Sequence, residues 1–152
     1  MPTARTGVYP VYENQFKIAA AGSSSAPSTP IADMTTFSVA FNNGVEEWNA
    51  FENEGWKSRL MTAKDVVISI KGKRNLGDAG NDMIADCAFK NGTQAQRDLL
   101  WTFPDGATVL FANAVINVTA CGSGDSTNVG SLEFDVMSNG KPTYTAAPAG
   151  TQ

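Results

Sequence analysis

Histidine is missing from the 152-residue chain, and with it the usual base of nucleophilic catalysis. A serine hydroxyl attacks only after something takes its proton, most often a histidine held by a carboxylate. The stretch TACGSGDSTNVG, residues 119–130, has the outline of a nucleophile loop, with Ser126 ringed by glycines near Cys121. No lysine lies within it to replace the missing base. Gly122, Gly124, Asp125, Ser126 and Asn128 are residues that turns demand, since glycine supplies positive φ and the others bond their own backbone. Ser126 is therefore read as a loop residue. Cysteine is nearly absent too: Cys87 and Cys121 stand 34 positions apart. They form no CxxC pair, and a zinc site without histidine would need unusual ligands. A disulfide could form in an oxidising compartment, but two small buried thiols are the expectation.

Charge is scarce. Charged residues make up 17% of the chain against 42% hydrophobic, with a net charge of −4 and an isoelectric point near 4.7. No basic footprint for gripping nucleic acid exists, so any DNA or RNA that meets this protein is expected to pass and not be held. A low charge fraction also suits a chain whose exterior ends up against copies of itself. No apolar run approaches the roughly 18 residues of a membrane span. The N-terminal MPTARTGVYP has no apolar stretch of the kind a signal peptide carries. Synthesis and residence in a cytosolic setting are expected until something exports or assembles the protein. KGKRNLG lacks the spacing of a phosphate loop, and NLGDAGND is rich in oxygen ligands without the spacing of a calcium hand. No cofactor, no metal and no enzymatic activity are expected.

What is present reads as β structure. Length implies one domain. Residues 1–30 combine scattered aromatics, Tyr9, Tyr12 and Phe16, with the linker GSSSAPSTP. They are read as a flexible arm that folds back as an edge strand or reaches a neighbour. From Thr36 to Phe41, Phe37, Val39 and Phe41 alternate with Thr36, Ser38 and Ala40, which predicts a half-buried strand ended by NNG. Residues 42–59 place Trp48, Phe51 and Trp56 among Glu46, Glu47, Glu52 and Glu54. Val45, Trp48 and Phe51 allow a helical turn, but the glycine and asparagines predict a long irregular excursion. Val66, Ile68 and Ile70 mark another strand. Asn81 is the expected cap of a helix reaching about Lys90, closed by NGT and buried through Met83–Cys87, Ile84–Ala88 and Ala85–Phe89.

PDG, residues 104–106, joins two strands. The first carries Leu99, Trp101 and Phe103 on one face. In the second the apolar parity switches from Val109 and Phe111 to Ile116, Val118 and Ala120, which predicts a β-bulge near Asn113. The last strand, from about Val129 to Met137, buries Leu132, Phe134 and Val136 and turns Glu133 and Asp135 outward. SNGK turns the chain into a small-residue tail. The sum is about six strands and one helix: a mainly β, antiparallel β-sandwich or barrel with one flanking α-helix, an N-terminal arm and a long loop. The domain spans residues 31–145, and 146–152 form the tail.

The order of these features resembles the major tail (tail tube) proteins of long-tailed bacteriophages and related tail-like particles. The resemblance rests on FSVAFNNGVEEWNAFENEGWKSRLMTAKDVVISIKGKRNLGDAGND, on the helix NDMIADCAFKNG, and on LLWTFPDGATVLFANAVINVTACGSGDSTNVGSLEFDVMSNGKPTYT, together about residues 36–145. It implies a β-sandwich subunit that closes into rings, usually hexameric. The rings stack into a hollow tube that conducts the genome during ejection, its lumen typically acidic. The implied partners are further copies of the chain, the tail initiator, terminator and tape-measure proteins, and DNA that passes without specific binding. The implied location is the virion, after assembly in the host cytoplasm. Under this resemblance Tyr9, Tyr12, Phe16, Trp48, Phe51 and Trp56 become expected ring or stacking contacts. Glu133 and Asp135 become expected lumen-facing acids that repel phosphates; as single residues they fit an ordinary wet strand face equally well. A carbohydrate-binding or adhesive sandwich is the competing reading of the same fold.

Overall fold

Leu132, Phe134 and Val136 are fully buried, while Glu133 and Asp135 between them are half-exposed. A period of two with one buried face makes a strand of this segment, and β9 (Ser131–Met137) is an interior strand of the sheet, paired on both edges. The computed structural model describes residues 6–147. The first five residues of the predicted arm and residues 148–152 of the predicted tail lie outside them. The remaining strands are β1 (Gln15–Ala20), β2 (Thr29–Pro30), β3 (Met34–Phe41), β4 (Gly44–Asn49), β5 (Lys57–Ala63), β6 (Val66–Lys73), β7 (Gln96–Thr102), β8 (Thr108–Cys121) and β10 (Thr143–Thr145).

Eight strands form one antiparallel sheet in the order β2-β1-β7-β8-β9-β6-β3, with β10 pairing the start of β8; β4 and β5 pair only with each other. The sheet curls over itself. Phe16 on β1 and Phe37 on β3 sit near opposite ends of that order, yet their rings meet edge to face at 4.9 Å, and Phe37 meets Trp101 of β7 at 5.8 Å. No hydrogen-bonded pairing joins β3 back to β1 or β2 among the described residues, so the barrel stays open. The core between the curled faces is Ile18, Ile68, Ile70, Leu99, Phe111, Ile116, Leu132, Phe134 and Val136, joined by Ile84 and Cys87 from the helical side.

The bulge predicted near Asn113 is there. Asn113 has φ 53°, the β7–β8 register slips between Arg97 and Leu99, and burial passes from Phe111 to Ala114 and Ile116. The carboxylate of Asp98, itself buried, accepts the Asn113 N–H at 2.8 Å, so the extra residue's donor is satisfied inside the fold. The Pro104–Gly106 turn is also as expected, with Asp105 Oδ1 accepting the Ala107 N–H at 2.9 Å.

Several expectations are corrected. The helix α1 (Ala79–Asp86) is capped by Asp78, whose Oδ2 accepts the Asn81 N–H at 3.0 Å; Asn81 lies one turn inside. After α1 the chain tightens to a 3₁₀ turn, Cys87–Phe89, which leaves Phe89 exposed instead of buried. Gly80 is required where it stands, because a Cβ there would run into the Pro30 carbonyl oxygen of β2. Phe41 is exposed because β3 has run past the core by that point. Within the arm, for which folding back as a strand was one of the two alternatives, residues 15–20 are β1, paired with β7 along the whole of β1 and with Ile18 fully buried. At the end of the predicted domain stands a strand that was not expected, β10, whose three exposed residues pair with β8 where β9 does not reach.

Cys87 is buried, Cys121 is exposed, and both are free thiols, so only one of the two fits the expectation of burial. Burial pushes the Cys87 thiol above its usual pKa; the Arg97 guanidinium opposes the shift and the Asp86 carboxylate adds to it. Maleimide labelling of the native protein is expected to modify Cys121 alone, with the second thiol appearing only in denaturant. Rapid labelling of both in the native state would contradict this placement of α1.

Candidate subunit interface

The excursion predicted over residues 42–59 is a hairpin. β3 pairs β6 down to Phe41 opposite Val66, the Asn42 N–H donates to the Asp65 carbonyl at 2.8 Å, and pairing resumes with Gly44 opposite Ala63. The β3–β6 ladder thus continues into β4–β5, but the second half leaves the main sheet and stands alone. Register puts Val45, Glu47, Lys57, Arg59 and Met61 on one face, and Glu46, Trp48, Ser58 and Leu60 on the other. Glu47 holds Arg59 at 3.2 Å and Lys57 at 3.6 Å, exposed pairs that add little. A 3₁₀ turn, Phe51–Asn53, makes the tip. Glu54 follows in the left-handed region, and Asn53 Nδ2 donates to Ser58 Oγ at 2.7 Å.

A free two-stranded hairpin is marginal in water, and one with apolar side chains on both faces is exposed on both. Val45, Trp48, Leu60 and Met61 are all exposed; Trp56 is 80% and Phe51 103% exposed. Trp48, Phe51 and Trp56 therefore share one projecting element. Val45, Leu60 and Met61 on the same hairpin were missed. Their signal was the adjacent pair Leu60–Met61, two apolar neighbours that a strand must point to opposite sides.

Tyr12 and Phe16 meet at a different place. An open cleft of about 380 Å³ lies between β1 and β3, along the seam where the sheet fails to close. Phe16, Ile31, Met34, Phe37 and Ile70 make its apolar lining, with Val11 and Tyr12 at the mouth and Lys17 on the wall. Phe16 also stacks on Trp101 at 5.9 Å, so it is part of its own subunit's packing and not a free anchor. The Trp101 indole N–H donates to Asn14 Oδ1 at 3.0 Å and pins the 3₁₀ turn Val11–Glu13 over the cleft. Tyr12 is 84% exposed. Tyr9 is half-exposed beside the Phe103–Asp105 turn, apart from the cleft.

Glu133 and Asp135 point away from the core, as expected. Each is matched across the ladder: Lys71 Nζ lies 3.6 Å from Glu133 Oε1, and Ser69 Oγ donates to Asp135 Oδ1 at 2.7 Å. Ser126 sits exposed in the loop after β8, where the Asn128 N–H donates to the Asp125 carbonyl at 2.9 Å. No group of three or more potential metal ligands occurs among the described residues, and no helix among them is long and apolar enough to cross a membrane.

No protein-family model and no curated protein matches the chain. Solved structures do. The tail of an empty gene transfer agent particle, determined with C6 symmetry, contains a chain 22% identical that superposes with a TM-score of 0.68, covering 91% of this chain and 100% of that one. The virion of a native gene transfer agent particle gives 18% identity and a TM-score of 0.67 over the same shares. A chain in the sheath/tube terminator of the PVC extracellular contractile injection system, in its extended state, gives 14% identity and 0.59 over 94% of this chain and 100% of that one. This chain therefore has the fold found in the tails of gene transfer agent particles and in an extracellular contractile injection system.

Proposed function

We propose that this protein is the structural subunit of a phage-type tail tube, self-assembling into stacked rings around a hollow bore that conducts a genome. The carrying observation is the β4–β5 hairpin, which leaves the main sheet with apolar side chains exposed on both faces. Such an element is stable and soluble once another copy covers it, and a shared surface of that kind makes a homopolymer. The fold likeness supports the same reading over nearly the whole chain, and the C6 symmetry of the gene transfer agent tail supports six copies per ring. Tyr9 and Tyr12 add exposed aromatics outside the hairpin. The outward face of β6 and β9, with Glu133 and Asp135, is the lining of the bore in this reading. Its two acids balance the two lysines of the same face, Lys71 and Lys73, so it offers phosphates no net positive charge. In an infected or producing cell the tube would join initiator, terminator and tape-measure proteins and end in the virion. The chemistry is mechanical containment, with no catalysis. Sedimentation velocity of the purified chain over rising concentration tests this: particles hundreds of subunits in mass support it, and a 16.0 kDa species at every concentration contradicts it.

A further inference from the structure

An asparagine followed by glycine loses its side-chain amide more readily than any other, because glycine has no Cβ to shield its backbone nitrogen from the preceding side chain. The chain holds three such pairs, Asn43–Gly44, Asn91–Gly92 and Asn139–Gly140. The fold treats them differently. Asn139 Nδ2 donates to the Asn113 carbonyl at 3.2 Å, so its amide is held against the β8 bulge. Gly44 pairs opposite Ala63, and its carbonyl accepts from Thr62 Oγ1 at 3.4 Å. On the other side of Asn43, Asn42 is bound to Asp65 through both its N–H and its side-chain amide. The backbone flanking Asn43 is thus fixed from both directions.

Asn91–Gly92 has neither restraint. Asn91 is exposed, and its side chain makes no hydrogen bond among the described residues although it stands at the cap position of the 3₁₀ turn Gly92–Ala95. Gly92 opens that turn, so its N–H has no partner within it. Gly92 has φ 60°, and no atom beyond its chain neighbours lies within 4 Å of where a Cβ would be. The Gln94 N–H donates to the Asn91 carbonyl at 3.2 Å, which leaves the Asn91 amide and the Gly92 nitrogen both free. Nucleophile, electrophile and room to bring them together coincide here.

We propose that Asn91 is a site of spontaneous modification, converted with water to aspartate and isoaspartate. The Gly92 nitrogen attacks Asn91 Cγ. The new N–Cγ bond forms as Cγ–Nδ2 breaks, and Nδ2 leaves as ammonia with the proton of the Gly92 N–H. Water then opens the cyclic imide at either carbonyl. Opening at Cγ gives aspartate on an unchanged backbone; opening at the main-chain carbonyl gives isoaspartate, with the chain running through the former side chain. Either product adds one negative charge to an exposed segment close to the exposed Phe89. The site is independent of the tube reading.

The test keeps the full chain in mildly alkaline buffer, which favours loss of the backbone amide proton. Samples are mapped by peptide mass spectrometry, with electron-transfer fragmentation to tell aspartate from isoaspartate. Product at Asn91 is expected to form roughly tenfold faster than at Asn43 or Asn139, the factor set by a hydrogen bond that must first break. In denaturant the three pairs are expected to react alike, since the fold alone separates them. Asn91→Gln should remove the main acidic variant that isoelectric focusing resolves in aged parent protein, because the longer side chain closes a less favoured ring. Native protein in which Asn43 or Asn139 reacts as fast as Asn91, or in which Asn91 stays intact, overturns the proposal. The same ranking in denaturant overturns the assignment of the difference to the fold.

Discussion

Replacing both Trp48 and Trp56 with alanine is expected to leave a folded monomer that no longer polymerises at concentrations where the parent chain does. The reason lies in where the two rings are. Both project from a hairpin that pairs with no other strand among the described residues, and Trp48 is 45% and Trp56 80% exposed. Truncation therefore costs the monomer little: Trp48 loses a diagonal cross-strand contact with Leu60, worth under about 1 kcal/mol. At an interface the same rings are anchors worth about 2 kcal/mol each or more. Two anchors lost per contact amount to about 4 kcal/mol, a rise of roughly a thousandfold in the concentration needed for assembly. Circular dichroism and sedimentation velocity on the same samples give the answer. Native spectra with monomeric sedimentation are expected; native spectra with undiminished polymers would take the interface away from this hairpin.

The second large effect concerns the monomer itself. Asn81→Ala is expected to destabilise the fold by about 3–5 kcal/mol, because Asn81 is fully buried and uses every hydrogen-bonding position it has. Its Oδ1 accepts from Arg74 Nη1 at 2.8 Å and from the Asn75 N–H at 3.1 Å. Its Nδ2 donates to the Lys73 carbonyl at 2.9 Å and the Ala32 carbonyl at 3.2 Å. One side chain thus ties α1 to the end of β6 and to the segment before β3. Alanine leaves those part-buried backbone groups without their partner, and each orphaned group costs about 1–3 kcal/mol, less than additively. At roughly 2–4 °C per kcal/mol for a chain of this size, thermal unfolding should fall by about 6–20 °C. Asn81→Asp should also lose stability, since a carboxylate cannot donate to the two carbonyls. Asn91→Ala, at an exposed site beyond the helical segment, is the control and should stay within about 0.5 kcal/mol. A loss below about 1 kcal/mol for Asn81→Ala would show that the network does not organise this corner.

These residues also show where sequence and structure part company. β9 was legible because one face is buried and one wet, so alternation is imposed on the residue types. The bulge at Asn113 was legible for the same reason: a slip of one residue moves every later side chain to the other face. The hairpin was not legible, because neither of its faces has a core to meet within the subunit. Trp48, Leu60, Val45 and Met61 follow no inside–outside rule there, and the chance spacing of Val45, Trp48 and Phe51 imitates a helix. β10 escaped because its three residues are all exposed and are held by backbone pairing and by the ring of Tyr144 against Phe103 at 6.4 Å. Within NLGDAGND, Asp78 and Asn81 are equally good caps on paper. The choice was made by long-range contacts that no local pattern shows, with Ala32 donating to Asp78 Oδ2 at 3.1 Å and Asn81 drawn inward by Arg74. The aromatics of the candidate interface were legible as types, but their division between a projecting hairpin and an open cleft needed the curl of the sheet.

Negative-stain electron microscopy of the purified chain at high concentration tests the proposed function most directly. Side views should show regular tubes with an axial repeat, and end-on views a round particle with a stain-filled centre and six-fold symmetry. Solid fibrils without a bore, or isolated monomers at every concentration, would contradict a tail-tube subunit.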